Sequence, residues 1–476
     1  MMIASRKIGD ASIGVLIENL VARARTAQKA FEANGSQQRY DDAALAAAWA
    51  VMEPTRNTEL STMAVETTGL GNVADKMTKN HRKTLGLLRD IRHAKTHGVI
   101  ENDLATGITK IARPVGVVGA IVPSTNPVAT PVNNIVNALK CGNAIIIAPS
   151  PKGAAVCERL IGYIHAEFDK IGIDRALVQM IPQPVAKAKA QLLMERVDLL
   201  VATGSQDNVR RAATCGTPAI GVGAGNVSVI VDETANLAEA AAKIAASKRF
   251  DNSTSCSSEN AIILIDAIAD QFLAHLDRAG GRLVEGTDAW QLISVLFGTG
   301  QINRAMLAKD IDQVIAAAQI RVERAETAAF LIVEGRGIGP HYPESGEKLS
   351  LATTLYRARD FDHAAKLAGE IFDHLGAGHS VGLHSRDEQR PLQLGMTLPT
   401  CRVIVNQPHS FATGGAFDNG LPFSLSMGCG SWGGNIIDDN LNYRHFMNVT
   451  KIVRPIAENR PDQNEIFEHY WKKAGR

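Results

Sequence analysis

Apolar and polar residues alternate along this chain with two periods, and the order in which the periods appear predicts its architecture. From about Asp10 to His97 the period is helical: Ile13, Leu16, Ile17, Leu20 and Val21 recur on one face, and AALAAAWAVM and LGLLRDI continue the style. HGVIENDLATGITKIARP then alternates β-branched residues and predicts a hairpin protruding from the body. Beyond it, short apolar runs alternate with helical stretches. Val117 to Val122 predicts a buried strand, Asn126 a turn, and Thr130 with Pro131 an N-cap and first-position proline of a helix that Gly142 ends. Ala144 to Ile147 predicts a second buried strand, followed by a helix through Leu160, Ile161 and Ile164. VQMIP, a short helix around Leu192, DLLVATGS, SQDNVRRAAT and VSVIVD continue the alternation. An Ala-rich helix then runs to about Lys248. Such alternation predicts an α/β fold with an open, largely parallel sheet of the dinucleotide-binding, Rossmann type. A second α/β region with strands AIILID, FLIVEG, SVGLHS and RVIVN runs to about Pro422, and YRHFMNVTKIVRP predicts a C-terminal strand.

No Pro/Gly-rich linker marks a boundary, so the division is placed by the change of role near Cys256. The expectation is a cofactor-binding unit over 1–250, a catalytic unit over 251–422, and a return to the first unit over 423–476. A length of 476 residues agrees with more than one core. Lys and Arg number 50 against 49 Asp and Glu, and no basic block stands out, which argues against nucleic-acid or membrane capture. Without a signal-like N-terminus or a membrane-length apolar run, a cytoplasmic enzyme is expected.

The six cysteines form no CxxC pair, so neither a zinc site nor a disulfide framework is indicated, and no metal is expected. His93 and His97, one helical turn apart, lack a third ligand nearby. GCGSWGG around Cys429 has Trp432 where a cysteine-protease signature needs its cysteine. Cys256 is different. It sits in RFDNSTSCSSENAIIL, between a helix and a strand, among Ser253, Thr254, Ser255, Ser257 and Ser258. These neighbours look too polar for core packing, which favours a nucleophilic thiol over a structural cysteine.

GVGAGN, Gly221 to Asn226, is followed by a strand where a dinucleotide fingerprint opens a helix, so it reads as a tight turn close to a ligand. Thr203, Gly204 and Ser205, where a strand enters a helix, make the better phosphate site.

Taken in order, PVGVVGAIVPSTNP, ATGS, PAIGVGAGN, FDNSTSCSSEN, EKLS, GAGHS and MGCGSWGGN resemble the CoA-acylating branch of the aldehyde dehydrogenase superfamily. The likeness to the aldehyde-dehydrogenase half of bifunctional aldehyde–alcohol dehydrogenases runs from about Arg113 to Pro455. It implies a Rossmann-type cofactor domain, an α/β catalytic domain, and a small β element for oligomerisation, built from the hairpin near Gly98 and the strand near Val449. A homodimer or homotetramer is expected.

The resemblance also implies roles. Cys256 becomes the nucleophile, and Asn126, with the Cys256 backbone N–H, the donor to the oxyanion, worth roughly 2.7–4 kcal/mol. His379 matches a histidine near the thiol, and Glu347 the carboxylate that fixes the nicotinamide ribose. Ser124, Thr125, Pro149, Ser150, Lys152, Thr203, Gly204, Ser205, Gly221 and Gly223 are expected around the cofactor. No acid follows the second strand in Ala148-Pro149-Ser150-Pro151-Lys152, which permits NADP as well as NAD. Hydrolytic members carry a glutamate that activates water; Gly221 stands in its place here. The thioester then waits for an external thiol, and CoA is the implied co-substrate. Ser255 precedes the cysteine where acetaldehyde-specific relatives tend to have an aliphatic residue. A hydroxyl-rich pocket of Ser255, Ser257 and His409, with Ser410 beside it, suits a small anionic aldehyde. Sulfoacetaldehyde is expected first, with acetaldehyde or succinate semialdehyde next. A hydrolytic dehydrogenase and a non-redox cysteine acyltransferase are the competing readings.

Overall fold

The computed structural model describes residues 2–298 and 300–475, with side-chain surroundings from Ser12 onward. In chain order the strands are β1 (Gly98–Asp103), β2 (Ile108–Pro114), β3 (Val117–Val122), β4 (Ala144–Pro149), β5 (Val178–Met180), β6 (Leu199–Ala202), β7 (Ala219–Gly221), β8 (Val227–Val231), β9 (Glu259–Ile265), β10 (Gly281–Leu283), β11 (Phe330–Glu334), β12 (Ala352–Ala358), β13 (Val381–His384), β14 (Val403–Val405) and β15 (Met447–Val453).

The first sheet is parallel, in the order β5-β4-β3-β6-β7. Strands β3 and β4 are buried on both faces, which is why their sequences are near-continuous apolar runs. The chain order reverses between β3 and β6, and the carboxyl ends of those two strands open the crevice where such sheets take ligands. The N-terminal helices join this core through Ile17, Tyr40, Leu60 and Leu87, and the C-terminal segment through Phe423, Leu441 and Phe446.

The helix after β3 starts at Ala129 with no side-chain cap, so Thr130 and Pro131 lie inside its first turn instead of at the cap and first position. Burial on every side leaves no solvent-facing end for a Thr cap to serve. The helix Val73–Ile91 stops before His93, so His93 and His97 share no helical face; the His97 ring packs edge-on to Tyr40.

The second sheet is also parallel, in the order β10-β11-β12-β9-β8-β13-β14. It includes β8, and Ala240, Ala241, Ile244 and Ala245 of the helix Leu237–Arg249 pack into its core. The chain therefore changes sheet between Gly221 and Val227, and the boundary expected at 250 falls inside the second unit. Cys256 sits within that unit, not at its edge. Strands β7, β10 and β12 lack the long apolar run or period that would have announced them.

The third sheet is antiparallel, β1-β2-β15, with Val449 opposite Ala112. The hairpin and the C-terminal strand thus meet as expected. Ile452 and Val453 on β15 are exposed, as are Ile466, Phe467 and Tyr470 on the helix Gln463–Lys473. Among the described residues no helix is long and apolar enough to cross a membrane.

Candidate active site

Between the helix Leu237–Arg249 and β9 the backbone takes three consecutive left-handed residues, Asp251 (φ 48°), Asn252 (φ 52°) and Ser253 (φ 61°). For residues other than glycine, such conformations cost on the order of 1–3 kcal/mol each and persist only where the surroundings impose them. Here they do. Asp251 is fully buried; its Oδ1 accepts from the Asn72 N–H at 3.1 Å, and its Oδ2 from Lys76 Nζ, Lys79 Nζ and Thr254 Oγ1. Burial works against this carboxylate, but Lys79 and then Lys76 outweigh it and hold its pKa below the usual range. Asn252 donates to Asp310 Oδ1 at 2.8 Å, and the Ser253 hydroxyl donates to the Lys248 carbonyl. The next turn delivers Cys256.

The polar loop is not the solvated one its composition suggests. Ser253, Thr254, Ser257 and Ser258 are all 1–2% exposed; the Thr254 hydroxyl donates to Asp251, that of Ser258 to Ser253, and that of Ser253 to the Lys248 carbonyl. Cys256 keeps partial exposure, yet burial, and after it the nearby Glu347, push its thiol up to about 12; the Ser257 hydroxyl pulls slightly the other way. At rest the Cys256 side chain is a protonated thiol. Gly225, in the turn before β8, packs on the loop so closely that an added Cβ would lie 2.2 Å from the Cys256 carbonyl oxygen. That turn approaches the backbone of the Cys256 loop itself.

His379 Nε2 stands 3.3 Å from Cys256 Sγ. Its Nδ1 meets Ser380 Oγ at 2.8 Å, and Ser380 Oγ meets His409 Nε2 at 2.8 Å, so the three residues form a chain leading away from the thiol. Burial, with Arg402 behind it, pushes His379 down to about 3, leaving a neutral imidazole. The Arg402 guanidinium donates to the carbonyls of His379 and Gly428 and to Asn440 Oδ1, tying the GAGHS loop to the MGCGSWGG loop. His409 is 1% exposed and is linked to the thiol through Ser380 and His379. Ser410 is bonded to Ser247 on the helix Leu237–Arg249. Ser255 remains half-buried beside the thiol, its Oγ accepting from the Ser257 N–H, and Ser257 is buried.

Asn126, at the carboxyl end of β3, has its Oδ1 held by Lys79 Nζ at 2.9 Å. Lys79 also donates to Thr254 Oγ1 and Asp251, so one ammonium joins Asn126 to the Cys256 loop. Sequence reasoning missed Lys76, Lys79 and Asp251. Their signal was present as basic residues at helical spacing in DKMTKNHRK and an acid between Phe250 and Asn252.

Around the crevice, Ser124 and Thr125 lie at the end of β3, and the Thr125 carbonyl accepts from Lys76. Gly204 and Ser205 are exposed, with Ser205 capping the helix Gln206–Thr214. Thr203 is buried against Ser426 Oγ at 2.6 Å, which removes its hydroxyl from the expected phosphate contact. Pro149 is buried, Ser150 caps the short turn Pro151–Gly153, and Lys152 is exposed. Gly221 ends β7 with no room beside it: an added Cβ would lie 2.6 Å from Val209 Cγ1. Gly223 abuts Cys429 Sγ. Burial pushes the Glu347 carboxyl up to about 8, with Lys248 pulling it back. Lys248 is itself buried, its Nζ without a hydrogen-bond partner and its pKa lowered by burial.

The model of the aldehyde dehydrogenase family matches residues 12–292, more than half of the chain. The chain belongs to the aldehyde dehydrogenase family. With that it takes its place among oxidoreductases acting on aldehydes, in the α/β fold the motifs implied. It is 54% identical to the acylating sulfoacetaldehyde dehydrogenase of Cupriavidus necator over 457 residues, covering 96% of this chain and 92% of that one. The crystal structure of an acetylating aldehyde dehydrogenase from Geobacillus thermoglucosidasius superposes with a TM-score of 0.90 at 32% identity, covering 95% of this chain and 99% of that one. A propionaldehyde dehydrogenase from Rhodopseudomonas palustris, solved with bound CoA and an acylated cysteine, matches with a TM-score of 0.81 at 25% identity over 92% of this chain and 97% of that one. The resemblance to the CoA-acylating branch therefore holds across nearly the whole length.

Proposed function

We propose that the chain oxidises a short anionic aldehyde, sulfoacetaldehyde first, to its acyl-CoA through a thioester on Cys256, with NAD or NADP as oxidant. The crevice suits a dinucleotide: an exposed helix N-terminus at Gly204 and Ser205, the half-exposed Ser124 and Thr125, and Glu347 beside the thiol. Pro149, Ser150 and Lys152 would take the adenosine end, and no acid there opposes a 2′-phosphate. A nicotinamide bound there supplies the hydride acceptor.

The Cys256 sulfur attacks the aldehyde carbon as its thiol proton leaves to solvent through the partly exposed side of the site, and the oxygen that gains charge is met by Asn126 Nδ2 and the Cys256 N–H. Loss of hydride leaves the thioester. His379 then takes the proton of the incoming thiol and, from 3.3 Å, returns it to the Cys256 sulfur as that leaves the acyl carbon. An imidazole with so low a pKa is a weak base, and a free thiol, with a pKa of about 8.5, surrenders its proton far more readily than water at about 15.7. No carboxylate can stand at Gly221 to activate water. The pairing of Cys256 with a neutral His379, in a site closed to that carboxylate, carries the proposal.

Initial rates with a panel of aldehydes, each with NAD and NADP and each with and without CoA, test it. Sulfoacetaldehyde with CoA should give the highest kcat/KM. Full production of reduced cofactor without CoA would refute acyl transfer. The free edge of β15 and the exposed apolar residues of the helix Gln463–Lys473 support a homo-oligomer, read by light scattering.

A further inference from the structure

The helix Ala129–Lys140 runs on from Asn126, whose carbonyl accepts from the Thr130 N–H at 3.3 Å. Within this helix Thr130, Asn134 and Asn137 follow one another at helical spacing and so share a face. These three are 1%, 0% and 0% exposed, yet Thr130 Oγ1, both amide atoms of Asn134 and Asn137 Oδ1 have no hydrogen-bond partner. A helix built only to fill a core has no use for such a row, since each buried orphan costs roughly 1–3 kcal/mol.

Alongside lies the helix Val73–Ile91. Lys79 touches Asn126 at one level. Further on, Gly86 abuts the Phe423 ring, and Asn133 Nδ2 donates to the Phe423 carbonyl at 3.4 Å. The two helices therefore advance together, and Lys83 falls between these levels. Lys83 is 8% exposed; its Nζ donates to the Gly414 carbonyl at 2.6 Å and sits 5.5 Å from the Phe423 ring centre. Lys76 and Lys79 share Asp251, whereas Lys83 has no carboxylate within ion-pair distance among the described residues. Burial, then Arg82 and Lys79, push its pKa well down, with Cys256 and Asp90 acting the other way.

We propose that Lys83, Thr130 and Asn134 form the subsite for the anionic head group of the substrate, and that the head group is a sulfonate. This rests on the acylating reading above. A sulfonate offers three oxygens that only accept, and the ammonium, the hydroxyl and the amide NH₂ all donate. The bond from the Thr130 N–H to the Asn126 carbonyl sets Thr130 about one turn beyond Asn126, within reach of the head group of a two-carbon aldehyde whose carbonyl oxygen lies at Asn126. A bound anion would also give Lys83 the counter-charge that it lacks.

The test compares kcat/KM for sulfoacetaldehyde and propanal, with CoA and saturating cofactor, in the full-length wild type, Lys83→Met and Asn134→Leu. The ratio of sulfoacetaldehyde to propanal should fall at least 100-fold in Lys83→Met and at least 10-fold in Asn134→Leu. Lys83→Met removes a poorly solvated charge and keeps the side-chain volume; if it fails to fold, Asn134→Leu carries the comparison. Calorimetry with ethanesulfonate, which has the head group and no aldehyde, needs no turnover. It should bind the wild type and bind Lys83→Met at least tenfold more weakly. A ratio that moves less than threefold in every folded variant, or equal ethanesulfonate binding by wild type and variants, would overturn the subsite while CoA-dependent oxidation of propanal still stood. Absence of CoA-dependent oxidation of any aldehyde by the wild type would instead overturn the reading beneath it.

Discussion

Lys79 Nζ donates to Asn126 Oδ1 at 2.9 Å, and that contact decides which end of the amide is free. With Oδ1 held, Nδ2 is left to donate, and among the described residues it has no protein acceptor. Under the proposed mechanism Lys79 is thus a positioning residue for Asn126. Asn126→Ala is expected to lower kcat about 10²–10³-fold, the range for removing one such donor. Lys79→Met should lower kcat by about tenfold or more with KM little changed. In the Asn126→Ala background the same change should cost less, because the amide it orients is gone. Additive losses in that double-mutant cycle would show that Lys79 acts only through the stability of the Asp251 turn.

For His379 to accept a proton, its Nε2 must present a lone pair to the sulfur. That requires His379 Nδ1–H to donate to Ser380 Oγ, and the Ser380 hydroxyl to donate to His409 Nε2. His379→Ala is expected to reduce CoA-dependent turnover about 10²–10⁴-fold. One equivalent of reduced cofactor should still form, with the acyl-enzyme visible by intact-protein mass spectrometry. Ser380→Ala frees the tautomer and should cost about tenfold. Steady-state rates within threefold of wild type in His379→Ala would remove the histidine from the deacylation step.

Strands β3, β4 and β9 were legible in the sequence because each is buried on both faces and so is written as an unbroken apolar run. The hairpin and β15 were legible for the opposite reason, their alternation beside water. Strand β12 was not, because Thr353 and Thr354 are buried among apolar neighbours, and Thr354 is satisfied by the distant Glu344 carbonyl, which a linear reading cannot supply. The boundary near 222–226 carries no compositional mark because the chain passes from one sheet to the other through a glycine turn that is itself part of the site. Cys256 and His379, picked out by motifs far apart in the chain, lie 3.3 Å from each other. Lys79 and Asp251 were missed because they meet across 172 positions of chain, and the bond of His409 to Ser380 is a property of packing that no linear reading supplies.

Installing a water-activating carboxylate at Gly221 should not make a hydrolase. Any side chain there meets Val209 Cγ1 at 2.6 Å from its first carbon, so Gly221→Glu has to shift the helix Gln206–Thr214 that forms the cofactor's anion site. The expected result is a lower Tm and a higher KM for the cofactor, without CoA-independent turnover. Gly221→Glu with Val209→Ala relieves the contact and should recover the Tm in part. Free acid formed without CoA at a rate near the wild-type CoA-dependent rate would mean that the position alone sets the acyl acceptor.

Glu347 gives the protein a pH dependence whose sign is fixed by burial. Its folded pKa is raised from an ordinary 4.5 to about 8. Between those values the folded chain keeps a proton that the unfolded chain has released, so this residue's contribution to stability falls as pH climbs from about 4.5 to 8. Above pH 8 the full penalty remains. Glu347→Gln keeps the shape and removes the titration. The difference in Tm, variant minus wild type, is therefore expected to grow in the variant's favour from pH 5 to pH 8 and to level off beyond. Lys248, whose pKa burial lowers, titrates with the opposite slope in both proteins and largely cancels in that difference. A Tm difference that stays flat between pH 5 and 8 would place the Glu347 carboxylate in a polar, ionised setting. In that case its electrostatic push on the Cys256 thiol would operate at neutral pH even without bound cofactor.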